Sequence, residues 1–221
     1  MSIRKSEINL FYANLLGLVI FGVAAGVFVP IFNWMWPDVS WLYSIGASAN
    51  QLLKLIGIEN LYLSNFAITA IVVGIASAII SMVAMSFLLV IPHELTHGIT
   101  AMIVADAKRK DIKFGIMWKK LCTPYCHCNK SMQVRQYRLM ALMPLYLLGV
   151  LPCLLSLFIG SPILLAYGIV GIVVASGDIW MTWLLRNEDA NTRIYDHPSA
   201  AGFFLFDTDE DFEEIKKELN N

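Results

Sequence analysis

The chain has 221 residues, 57% of them hydrophobic and only 15% charged, with a formal net charge of -1 and a mean hydropathy of +0.64. That excludes an ordinary water-soluble domain, whose surface needs more charge. The near-neutral balance also argues against a nucleic-acid partner, which calls for a basic excess on one face.

The chain opens with "MSIRKSEINLFYANLLGLVIFG", a basic end followed by apolar residues that superficially resembles a signal peptide. No small-residue cleavage site follows, and the apolar run continues to Trp36, so a retained membrane helix is expected over 10–36. The connector over 37–65 carries Trp41, Leu42, Ile45, Leu52, Leu53 and Ile56 mostly on one helical face. Such a stripe fits a helix lying on the outer interface or an ordinary packed connector.

A second membrane segment is expected over 66–105, and from Asn60 to Pro92 the sequence contains no charged residue and no histidine. The basic stretch 106–138 contains "DIKFGIMWKKLCTPYCHC", which reads as two short strands joined by a Lys-Lys turn, a β-hairpin from Ile112 to Cys128. Two further spans are expected over 139–159 and 162–185. The tail, 186–221, ends in a short amphipathic helix capped by Thr208 with Asp211 three residues on and a stripe of Phe212, Ile215 and Leu219. The resulting fold class is an all-α polytopic membrane protein: one embedded domain of four transmembrane helices, a small cytoplasmic hairpin and a short C-terminal helix.

Lys and Arg set the orientation. Arg4 and Lys5 precede the first span, Lys54 alone lies between the first and second, and nine such residues lie between the second and third. Excess positive charge stays inside, which places both termini and the 106–138 loop in the cytoplasm. Reducing conditions there argue against disulfides among Cys122, Cys126 and Cys128.

Within the apolar segments the titratable groups are His93, Glu94, His97 and Asp178. Each costs on the order of 2 to 3 kcal/mol at the bilayer centre, so such groups face an interior and find partners. His93 and His97 are four residues apart and share a helical face, where both imidazoles can reach one ion at about 2 Å. Glu94 lies one step round, placed to take a proton from a water that the ion activates. This is the H-E-x-x-H pattern of zinc hydrolases.

Tetrahedral zinc needs a third protein ligand if the fourth position is to hold water, and Asp178 is the candidate. At 1.5 Å per residue, His93 lies about 18 Å and Asp178 about 12 Å from the cytoplasmic ends of their helices, so their depths match. Gly98 and Gly177 beside these ligands are expected to let helices approach closely. "CTPYCHC" has zinc-binding residue types, but its spacing departs from paired C-x-x-C knuckles, which favours hairpin packing. Asp196 and His197, before Pro198, read as a loop hydrogen bond in a turn.

"HELTHG", "YCHC" followed by "VRQYRLMALMP", "SGD" in the last span and "DHPSAAGF" together resemble a family of bacterial membrane zincin peptidases, itself similar to the site-2 proteases. The likeness covers roughly Phe66 to Phe206. It implies a membrane-embedded zinc metallopeptidase of the bacterial cytoplasmic membrane, acting on a membrane protein or peptide, with His93 and His97 as zinc ligands, Glu94 catalytic and Asp178 as the third ligand. Site-2 proteases carry that aspartate in a longer motif with Asn, Pro and a following Gly, whereas this chain has Ser176-Gly177-Asp178-Ile179. A non-catalytic metal-binding scaffold or pseudoprotease remains the alternative. Ion transport would need a polar route across both leaflets, and the outer half of every span is apolar.

Overall fold

The computed structural model describes residues 3–7, 10–39, 66–117, 123–197 and 202–220. The proposed interfacial stripe between Trp41 and Ile56, the Lys119–Lys120 turn, Cys122 and Pro198 lie outside them.

Strand β1 (Arg4–Glu7) leads into α1 (Leu10–Met35), and α2 (Phe66–Val104) carries the H-E-x-x-H pattern. Strands β2 (Ile112–Met117) and β3 (Thr123–Cys128) follow, then the short β4 (Met132–Gln133). Helix α3 (Val134–Ile159) begins at Val134 rather than at Leu139, and α4 (Pro162–Leu184) follows after a turn at Gly160. Strands β5 (Arg193–Asp196) and β6 (Gly202–Phe206) and helix α5 (Asp209–Asn220) complete the chain.

Helices α1 to α4 each contain a stretch long and apolar enough to cross a membrane. Their outer faces expose large apolar side chains such as Leu18, Phe87, Leu88, Ile103 and Phe158. Such a surface suits hydrocarbon, where only closed hydrogen-bonded elements like helices are stable. Helices α3 and α4 cross at a seam of small residues. A Cβ added at Gly171 would fall 2.1 Å from the Leu148 carbonyl oxygen, and one at Gly168 2.6 Å from Cys153 Sγ, so the backbones touch only because side chains are missing there.

The expected hairpin is present, with β2 and β3 antiparallel and Phe114 opposite Cys126. The all-α expectation needs correcting, however, because a second, four-stranded antiparallel sheet forms in the order β1-β6-β5-β4. It gathers segments from before α1, between α2 and α3, and after α4. Residues Gly202–Phe206 are buried along the whole strand. One side packs toward Tyr137, Met140 and Leu185 of the main core, and Phe204 and Phe206 on the other pack with Ile215 of α5. The α5 cap forms as expected: Thr208 N–H donates to Asp211 at 3.0 Å and Asp211 N–H to Thr208 Oγ1 at 3.2 Å.

Asp196 and His197 are also corrected. Asp196 ends strand β5 instead of sitting in a turn, and its partner is His127 on β3, at 3.1 Å from Nδ1 to Oδ2.

Candidate metal centre

Helix α2 passes through Pro92 without ending and presents His93 and His97 one turn apart on its buried face. The hydroxyls of Thr96 and Thr100 donate to the carbonyls of Pro92 and Thr96 at 2.7 Å each, so neither asks for an outside partner. Helix α4 has a break at Ala175, where ψ is 6°. The turn that follows starts with Ser176-Gly177-Asp178 and aims the Asp178 carboxylate at the two rings.

The three groups converge. His93 Nε2 lies 3.0 Å from Asp178 Oδ2, His97 Nε2 lies 3.4 Å from Oδ1, and the two Nε2 atoms are 3.1 Å apart. Three atoms each about 2.0 Å from one tetrahedral zinc ion stand about 3.3 Å from one another, so the spacing fits that ion. Among the described residues, His93, His97 and Asp178 form a group that can hold a metal.

The hydrogen-bond pattern supports the same fit. His97 Nδ1 lies 3.0 Å from the Met140 carbonyl oxygen, which can only accept, so the proton sits on Nδ1. A neutral ring then turns the Nε2 lone pair toward a carboxylate and a second imidazole. Acceptor facing acceptor is repulsive, and a shared proton relieves only one pair whereas a metal ion relieves all three.

Why Met140 offers its carbonyl is readable in the chain. In an α-helix that oxygen accepts from the N–H four residues on, but residue 144 is proline and has none. The helix then widens into a π-turn over Leu145–Val150. The freed carbonyl orients His97, the outer-shell support that metal-binding histidines commonly receive.

Glu94 is partly buried beside the two rings, and the backbone N–H of Cys126 on β3 donates to its carboxylate. Burial, with the negative charges of Glu94 and Asp196, pushes the Cys126 thiol up to about 12. Gly98, on the turn after His97, admits the hairpin: a Cβ there would lie 2.9 Å from Phe114 and 3.2 Å from Ile112. The expected helix-to-helix approach is thus corrected to a helix-to-hairpin contact. At Gly177 an added Cβ would meet nothing within 4 Å, so that glycine serves no close approach.

A second polar cluster lies behind β3. His127 Nε2 lies 2.9 Å from Asn129 Oδ1, Tyr195 Oη donates to the same oxygen at 3.1 Å, and Tyr137 Oη donates to Asp196 at 3.4 Å. Sequence reasoning missed this cluster, because His127 and Asp196 are 69 residues apart.

Two imidazoles and a carboxylate at zinc spacing, with a glutamate next to them, could hold one metal ion beside a carboxylate base. A family model described as "Putative zincin peptidase" matches residues 86–193, a stretch that holds all four residues. That match supports the zincin peptidase family and a zinc metallopeptidase. No curated protein and no solved structure matches the chain.

Proposed function

We propose that the protein is a membrane-embedded zinc metallopeptidase that cleaves peptide bonds at the cytoplasmic side of the bilayer. His93, His97 and Asp178 hold the ion; Glu94 is the catalytic residue. The observation that carries this reading is the convergence of those three ligands within 3.0 to 3.4 Å, beside Glu94.

Zinc, when bound, supplies Lewis acidity toward a water and a scissile carbonyl. Glu94 accepts the proton of the attacking water and delivers it to the departing amine, the two-way transfer expected of one positioned carboxylate. The Cys126 N–H holds that carboxylate in place. It also marks an edge of β3 that faces the site rather than β2, where an extended peptide can add as a further strand. Extended backbone suits the chemistry, because a helix hides its amide bonds.

The sheet bears on topology. Its strands come from before α1, from between α2 and α3, and from after α4, and four crossings would bring all three segments to one side, which supports this reading. The distribution of Lys and Arg makes that side the cytoplasm. Glu94→Gln tests the assignment: hydrolysis is abolished while bound zinc stays at the wild-type level, and retained activity removes Glu94 from the mechanism.

A further inference from the structure

Away from the metal centre, a groove of about 480 Å³ runs between the first turns of α3 and the last turns of α4. Its residues are graded along both helices. Arg138 stands near the start of α3, with Leu142, Leu145 and Tyr146 further in; Arg186 stands just past α4, with Thr182, Trp183 and Ile179 further in. Both walls therefore run from guanidinium to apolar over about 10 to 12 Å, at 1.5 Å per residue.

The basic end is held in place and its charge is available. Arg138 donates through Nη2 to the carbonyls of Leu185 and Glu188, which keep the guanidinium at the mouth without neutralising it. Arg186 lies over the Trp183 ring at 4.6 Å and donates to the Trp183 carbonyl. The nearby Glu188 carboxylate is engaged by Arg4 at 2.7 and 2.9 Å. Arg138 Nε and Thr182 Oγ1 are buried polar atoms with no partner among the described residues. Such orphans are rare, and one on each wall of the groove marks a place that suits a polar ligand. Trp183, beside Arg186 at the basic end, is more than half exposed, as aromatic side chains are at headgroup level.

We propose that this groove binds one anionic phospholipid, its phosphate between Arg138 and Arg186 and an acyl chain along Leu142, Leu145 and Ile179. Two guanidinium groups with no carboxylate partner among the described residues select a phosphodiester that lacks a compensating cation, and the apolar run selects a lipid over free phosphate. The inference rests on the four helices spanning a membrane and is independent of zinc and of catalysis.

The test uses the full chain in neutral detergent, followed by native mass spectrometry and thermal unfolding with phosphatidylglycerol, phosphatidylcholine or inorganic phosphate added. Phosphatidylglycerol is expected to give a single retained adduct and a raised Tm, and phosphatidylcholine and inorganic phosphate neither. Arg186→Gln weakens the adduct about tenfold, and Thr182→Val, a near-isosteric change, weakens it less, with both variants melting like wild type when no lipid is added. Equal retention of the two lipids, a response to phosphate alone, or wild-type lipid retention in Arg186→Gln and Thr182→Val overturns the proposal. So does displacement of the adduct by an uncharged apolar helical peptide with no preference for lipid charge, which would make the groove a helix-docking face.

Discussion

Pro144 stands four residues after Met140, and by having no N–H it leaves the Met140 carbonyl for His97 Nδ1, 3.0 Å away. Pro144→Ala restores the missing donor and shares the carbonyl between helix and imidazole. Losing an outer-shell partner costs metal sites 10- to 100-fold in affinity, and sharing one sits at the low end, so zinc binding is expected to weaken by about tenfold. Helix stability moves the other way, because an interior proline is unfavourable by about 3 kcal/mol. Zinc titration alongside thermal unfolding checks both signs; equal zinc affinity in the two proteins would remove Pro144 from the account.

His127 and Asp196 tie the hairpin to the four-stranded sheet. Removing either partner breaks this bond and leaves buried His127 with Asn129 alone, or half-buried Asp196 with Tyr137 alone, at a cost of about 1 to 3 kcal/mol. In a double-mutant cycle of His127→Ala and Asp196→Asn the coupling is expected at about 0.5 to 3 kcal/mol. Zinc content stays at the wild-type level throughout, since neither side chain is a ligand. Strict additivity in chemical unfolding would show that the pair does not act as a unit.

At Gly98 two effects oppose. An added methyl crowds Phe114, whose exposed ring can swing away, and Ile112. Against that, alanine is worth about 0.5 to 1 kcal/mol over glycine inside a helix. Gly98→Ala is therefore expected within about 1 kcal/mol of wild type. Gly98→Leu has no such escape and lifts the hairpin off α2, so peptide hydrolysis falls at least tenfold while zinc is retained. Full activity in Gly98→Leu would mean that the hairpin position does not matter to turnover.

The Cys126 thiol is pushed up from 9.0 to about 12. Its thiolate fraction at pH 8 then falls about a thousandfold below that of an ordinary thiol, and alkylation slows in proportion. The folded state holds this proton more tightly than the unfolded state. The group's contribution to stability is thus whole below pH 9 and declines as pH rises toward 12. Peptide mapping after timed alkylation in native and denaturing buffer reads the ratio; equal rates would refute the half-buried placement beside Glu94 and Asp196.

Much of the site was legible because charge is conspicuous in an apolar segment. His93, Glu94, His97 and Asp178 stood out against their surroundings, and one helical turn accounts for the shared face of the histidines. The hairpin was legible too, from its β-branched and aromatic residues between polar breaks. The four-stranded sheet was not. β1 is Arg-Lys-Ser-Glu, which has no strand pattern, and β4 has two residues. Even "GFFLF", the one apolar run of the four strands, went unread as a strand, because its partners lie far away in the chain. The role of Met140 was hidden for a different reason: it is a backbone oxygen, and no side-chain pattern reports it.

The central claim is that one metal ion joins α2 to α4 through His93, His97 and Asp178. Metal content of the purified full chain, compared with that of Asp178→Ala, measures this directly. About one zinc per wild-type chain and a small fraction of that in the variant is the expected result, since two imidazoles alone make an incomplete site. An undiminished zinc content in Asp178→Ala, or a wild-type protein that binds none when zinc is supplied, would contradict it.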